Sequence, residues 1–184
     1  MSKTPNDLLL SFYQGSGKDI KGRTLKEIWA FDDVEKESVH DYIQWLFPSA
    51  KASQFNPDAP VLEGAKGPDG KQSLAEALRK DPKVISNLRQ SFEIMLKFYG
   101  LRYDQVNKTV IKNPNFDSRA KIWLSQGNHN FLRITRILQC LVNFGLKEEA
   151  KAFLVQLKEI KNHDKNSSIS DSNFSYWSQA AIGF

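Results

Sequence analysis

The chain has 184 residues, 40% hydrophobic and 26% charged, which fits one folded domain with a single core and excludes a disordered segment. Its 26 Lys and Arg against 21 Asp and Glu leave a charge of +5, interleaved with acids rather than gathered into the stripe of a nucleic-acid binder. Cys140 is the single cysteine, which excludes an internal disulfide and a cysteine zinc site and predicts a buried thiol in a reducing compartment. No stretch approaches the roughly 20 apolar residues that span a bilayer. Leu8-Leu9-Leu10 is too short for the apolar part of a secretion signal. An intracellular, cytoplasmic protein is the expectation.

Along the chain, residues 1–7 are polar and read as a loose terminus, and Gly15 to Arg23 as turns. Thr24 and Glu27 have capping-box spacing and predict a helix from Leu25 to Ala30. Asp32 or Asp33 caps a second helix expected to run to Phe47, since Pro48 disfavours helix in the residue before it. Residues 48–72 form a long connection with four prolines, expected to be pinned to the core by Phe55, Val61 and Leu62.

Ser73 and Glu76 repeat the capping box and open a helix that ends near Lys80. Asp81-Pro82 starts the next, where Val84, Ile85, Leu88, Phe92, Met95, Leu96 and Tyr99 recur at helical spacing until Gly100. Residues 101–117 read as irregular, with a short extended piece at Thr109-Val110-Ile111, followed by a brief helix over Arg119–Ser125. Asn128 caps a helix from His129 to Phe144, and another is expected from Lys147 to Lys161 with Ala150, Phe153, Leu154, Leu157 and Ile160 on one face. Residues 162–168 read as a linker to a last helix bearing Phe174, Trp177 and Ala181. The expected fold class is all-α: a compact multi-helix bundle with long irregular loops. It is expected to form one domain over 1–184, with its core over about 10–162 and a helical tail over 170–182.

Three segments carry a resemblance. They are His40-Asp41-Tyr42-Ile43-Gln44-Trp45-Leu46-Phe47-Pro48, followed by Asn56 and Ala59-Pro60; Met95-Leu96-Lys97-Phe98-Tyr99-Gly100; and His129-Asn130-Phe131-Leu132-Arg133-Ile134-Thr135-Arg136-Ile137-Leu138, continuing to Gly145-Leu146. In order and spacing these resemble the opioid growth factor receptor conserved domain, over roughly residues 10–162, as a short stand-alone member. The resemblance implies a receptor-like protein. Animal members are described as receptors for the pentapeptide Met-enkephalin, nuclear or perinuclear, and restraining proliferation.

Projected at 100° per residue, the helix expected to end at Phe47 puts Val34, Val39, Tyr42, Ile43, Trp45 and Leu46 on an apolar side, opposite Glu37, His40, Asp41 and Gln44. The helix from His129 leaves one stripe for His129, Arg133, Arg136 and Cys140. The candidate ligand-binding set is therefore His40, Asp41, Gln44, His129, Arg133 and Arg136. The two arginines offer planar forks for a carboxylate or phosphate at a helix N-terminus, and Glu37 or Asp41 would take an amine. The competing structural reading has the two stripes pair inside the bundle.

No HExxH, paired CxxC, nucleophile elbow or complete phosphate loop occurs, and nothing calls for a cofactor or a metal. The sequence therefore reads as a non-enzymatic binding or regulatory module with a peptide or protein ligand. The alternatives are an enzyme of unknown class using a His/Arg/carboxylate cleft, and a weak nucleic-acid or phosphate-ligand binder. Trp177 and Phe174 would either dock on the bundle or present a self-association surface.

Overall fold

The polar start of the chain is helical, contrary to the loose terminus expected: α1 spans Pro5–Tyr13. Thr4 Oγ1 accepts the Asp7 amide while the Asp7 carboxylate accepts the Thr4 amide, and Pro5 needs no partner for an amide it lacks. The computed structural model describes residues 3–182. The chain forms two compact units, one ending at Ser91 and the other starting at Phe92.

In the first unit α2 (Leu25–Trp29) follows its Thr24/Glu27 box as expected. The single helix expected up to Phe47 is instead two. α3 (Asp33–Ser38) stops where Val39 is extended, at φ −85° and ψ 126°, and α4 resumes only over Ile43–Leu46. The break is stabilised locally. The Tyr42 hydroxyl donates to the Lys36 carbonyl at 2.8 Å, taking up one of the carbonyls that a helix end leaves open, and the Lys36 ammonium donates to the Phe31 carbonyl. With the helical register lost, Val34 lies 73% exposed and not on a core face.

The long connection is also held differently. Phe55 is exposed, whereas Leu62 is buried as expected and Val61 half-buried, and Pro48, Asn56, Ala59, Pro60 and Gly67 are buried as well. The Val61 amide donates to Asn6 Oδ1 and the Leu62 amide to the Ser49 carbonyl. Side-chain and backbone hydrogen bonds thus replace an aromatic anchor. α5 (Leu74–Lys80) and α6 (Pro82–Phe98) start where expected, with Ser73 and Glu76 boxing the first and Asp81 Oδ1 accepting the Lys83 and Val84 amides of the second. The core of this unit stacks Phe12 edge-on against Trp45 and Phe31 against Tyr42. The Tyr13 hydroxyl donates to the Leu46 carbonyl, and Asn87 Nδ2 to the Tyr13 carbonyl.

In the second unit α6 ends at Phe98, and Gly100, at a φ of +77°, turns the chain into a hairpin. Leu101–Asp104, expected to be irregular, forms β1, and the extended piece expected at Thr109-Val110-Ile111 is β2 (Thr109–Lys112), antiparallel to it, with Tyr103 opposite Val110. The Asp104 carboxylate accepts the Val106 and Asn107 amides across the turn. Among the described residues the fold is therefore mostly helical with one small two-stranded sheet, and not all-α. α7 spans Phe116–Trp123, three residues earlier than expected at its start. Its Arg119 Nε and Trp123 Nε1 donate to the Phe98 and Tyr99 carbonyls, closing the end of α6.

α8 (Asn130–Asn143), α9 (Lys147–His163) and α10 (Asp171–Ile182) complete the unit. Trp45, Phe47, Phe92, Phe98, Tyr99, Phe144 and Phe153 are all buried. Trp177 docks on α8: its indole donates to the Phe131 carbonyl at 3.1 Å and its ring meets Phe131 edge-on. Phe174 is half-buried.

Candidate functional site

In the first unit His40 and Asp41 occupy the stretch between α3 and α4, not a helix face, and His40 is exposed. The Asp41 carboxylate is already engaged. It pairs with Lys21, and with Arg23 Nη1 at 2.7 Å, while Asp19 takes the other side of the Arg23 guanidinium. Burial pushes the Asp41 carboxyl up, but the bonds and charges of Lys21 and Arg23 outweigh it and hold it below the ordinary carboxylate range. Gln44 is buried and accepts a long hydrogen bond, 3.4 Å, from Asn56 Nδ2, which also donates to the Asp41 carbonyl. Asn56 thus links Asp41 and Gln44, two of the three site residues assigned to this half.

In the second unit His129 is the N-cap residue of α8, half-buried, and Asn130 beside it is fully buried. Asn130 Oδ1 accepts Arg133 Nη1 at 3.3 Å, and Asn130 Nδ2 lies 3.5 Å from His129 Nε2. Arg133 is only 5% exposed and Cys140 is buried, while Leu132 is exposed. The polar stripe of α8 therefore lies largely inside, with His129 and Arg136 half-buried. Burial lowers the Arg136 guanidinium from its ordinary value and raises the Cys140 thiol. Asn56 and Asn130 both lie in the signature segments, yet their amides were overlooked because a buried Asn and an exposed Asn look alike in sequence.

A different concavity lies wholly in the second unit. A groove of about 510 Å³ runs between β2 and α9, within the volume range of ligand sites. One wall is Lys108, Thr109, Val110 and Ile111, four residues in a row. The other is Glu148, Lys151, Ala152, Val155 and Gln156. Successive strand residues point to opposite faces, so a consecutive run lining the groove shows that the strand presents its edge. The helical wall, spaced by three and one, is a single flank of α9.

Beside the groove Lys108 pairs with Glu148 at 2.9 Å, and Lys112, beyond its strand wall, pairs with Asp164 at 3.1 Å. Val155 is 54% exposed along it. The sequence carried a trace of this site in the β-branched run at Thr109-Val110-Ile111. Val155 and Lys151 lie off the apolar face of α9, and nothing in their spacing singles them out. Among the described residues no three His, Cys, Asp or Glu side chains gather as metal ligands, and no described helix is long and apolar enough to cross a membrane.

No solved structure matches the chain. Among curated proteins it is 32% identical over 160 residues to opioid growth factor receptor-like protein 1 of Xenopus tropicalis, covering 84% of this chain and 29% of that protein. It is 33% identical over 149 residues to the human opioid growth factor receptor, covering 78% of this chain and 20% of that protein. The mouse opioid growth factor receptor is 35% identical over 144 residues, covering 77% of this chain and 21% of its own length. The chain thus spans less than a third of the relatives it matches. The family description, opioid growth factor receptor conserved region, matches residues 4–182, beyond the roughly 10–162 expected from the resemblance. The chain belongs to the opioid growth factor receptor conserved-region family.

Proposed function

We propose that this opioid growth factor receptor-like chain is a non-enzymatic binding module that recognises a peptide or protein ligand, and that the groove between β2 and α9 is where it does so. The observation that carries the reading is the composition of that groove. Apolar Val110, Ala152 and Val155 lie beside Lys151, Gln156 and a strand edge, a mixture that recognises backbone and side chains. The relatives' printed name of receptor agrees with a ligand-binding role. Three of the six residues assigned from the sequence enter this reading as supports. Asp41 and Gln44 are engaged by Lys21, Arg23 and Asn56, and Arg133 is buried on Asn130, all in local structure.

The test exposes the full chain to a displayed library of random linear heptapeptides, to duplex DNA and to inorganic phosphate. Enrichment of peptides is expected, with DNA and phosphate weak at physiological salt. Absence of any enriched peptide, or DNA binding that falls steeply with salt as counterion release demands, would overturn the reading.

A further inference from the structure

The register of the hairpin says more about what fits the groove. The Asn113 amide donates to the Gly100 carbonyl at 2.9 Å, one step beyond the Leu101–Lys112 pair. Antiparallel pairs alternate between hydrogen-bonded and non-bonded. Counting along the ladder, Arg102–Ile111 and Asp104–Thr109 exchange bonds, whereas Val110 and Lys112 turn their amides and carbonyls away from β1. The sheet has two strands, so among the described residues no strand pairs with that second edge of β2. Val110 is only 3% exposed and lines the groove. A backbone amide and carbonyl so enclosed nearly always have partners.

Charge narrows the occupant further. Lys108 and Lys112 are neutralised by Glu148 and Asp164, while no ion pair is formed by Lys151 among the described residues, midway along the helical wall. Exposed Val155 stands one turn further on, over Ala152.

Resting on the reading above, we propose that the groove takes an extended segment of a partner protein as an added strand on β2. Its backbone pairs with the outward amides and carbonyls of Val110 and Lys112, a carboxylate meets Lys151, and an aliphatic side chain covers Val155. The backbone bonds supply general affinity for extended chains, and Lys151 and Val155 supply the selection. An open strand edge is otherwise a liability for self-pairing, and the Lys108–Glu148 and Lys112–Asp164 pairs at either end of β2 keep it short.

The experiment takes the peptides enriched on the full chain and asks three things of them. Their sequences should favour an acidic residue beside an aliphatic one. Amide shifts in the isotopically labelled chain should centre on residues 108–112 and 148–156. Methylating alternate backbone nitrogens of a selected peptide should abolish binding in one phase of the alternation and spare the other. Lys151→Glu and Val155→Asp, both at exposed positions that fold independently of the groove's contents, should each weaken binding at least about fivefold. Peptides that bind while shifting residues elsewhere, or that tolerate methylation in both phases, would overturn strand addition and leave a peptide-binding module standing. Failure to enrich any peptide would overturn both.

Discussion

Asp41 shows how one side chain sets a pH dependence. Its folded pKa lies below its unfolded value because Lys21 and Arg23 bond the charged form and outweigh its burial. Such a group adds stability that is complete above the unfolded pKa and lost as pH falls through the folded one. The stability difference between the wild type and Asp41→Asn is therefore expected to be level from neutral pH down to about 5 and to shrink below about 4. Urea unfolding at a series of pH values reads this directly, and a difference that widened on acidification would refute it. The side chain is a quarter exposed, so the size of the effect is reduced by solvent. Gly100 poses a steric case. A Cβ there would stand 2.8 Å from the Phe116 Cα, on a backbone at φ +77°. Gly100→Ala should cost more than the roughly 1–2 kcal/mol of the left-handed conformation alone, seen as a lowered urea midpoint with unchanged slope.

Among elements, the helices announced by a cap were legible and the others less so. Thr24/Glu27 and Ser73/Glu76 each satisfy an amide in both directions, and α2 and α5 start where those boxes place them. Removing either hydroxyl, by Thr24→Ala or Ser73→Ala, should cost about 1 kcal/mol in chemical denaturation. α1 uses the same device with Asp7 in place of Glu and a proline as its first residue, so its polar start resembles a free tail. The break between α3 and α4 left no proline or glycine to mark it. It depends on the Tyr42 hydroxyl reaching the Lys36 carbonyl, which only the folded chain reveals. The hairpin was half visible, since Thr109-Val110-Ile111 suggested extension but Leu101–Asp104 gave no alternation strong enough to name a partner. On α8 the projection found the polar positions and left open whether they face a ligand or pair inside the bundle. Arg133 is accommodated indoors by Asn130, and Leu132 is left outside. Periodicity shows which residues share a face; it does not show which face meets the core when polar side chains bring their own partners.

At the scale of the whole chain, the charge of +5 is spread widely and much of it is locally paired, as at Lys21, Arg23, Lys108, Lys112 and Lys161. Cys140 offers a probe of the second unit, being enclosed and its thiol pushed up by burial. A thiol-reactive dye should label the native protein slowly and at a rate set by opening of that unit, rising with urea in step with loss of structure. Rapid labelling without denaturant would contradict the packing around α8. Trp177→Ala removes an indole that is 1% exposed, together with its bond to Phe131, and should cost about 3–5 kcal/mol, read from the unfolding midpoint.

The seat of that indole has a practical corollary for anyone trimming the molecule. A fragment cut after residue 162, where the core expected from the sequence ends, would uncover the Phe131 ring and leave its carbonyl facing water through a hollow the shape of Trp177. Such a stub should stain with hydrophobic dyes and clump in the tube, whereas one carried through Ile182 keeps its stopper in place.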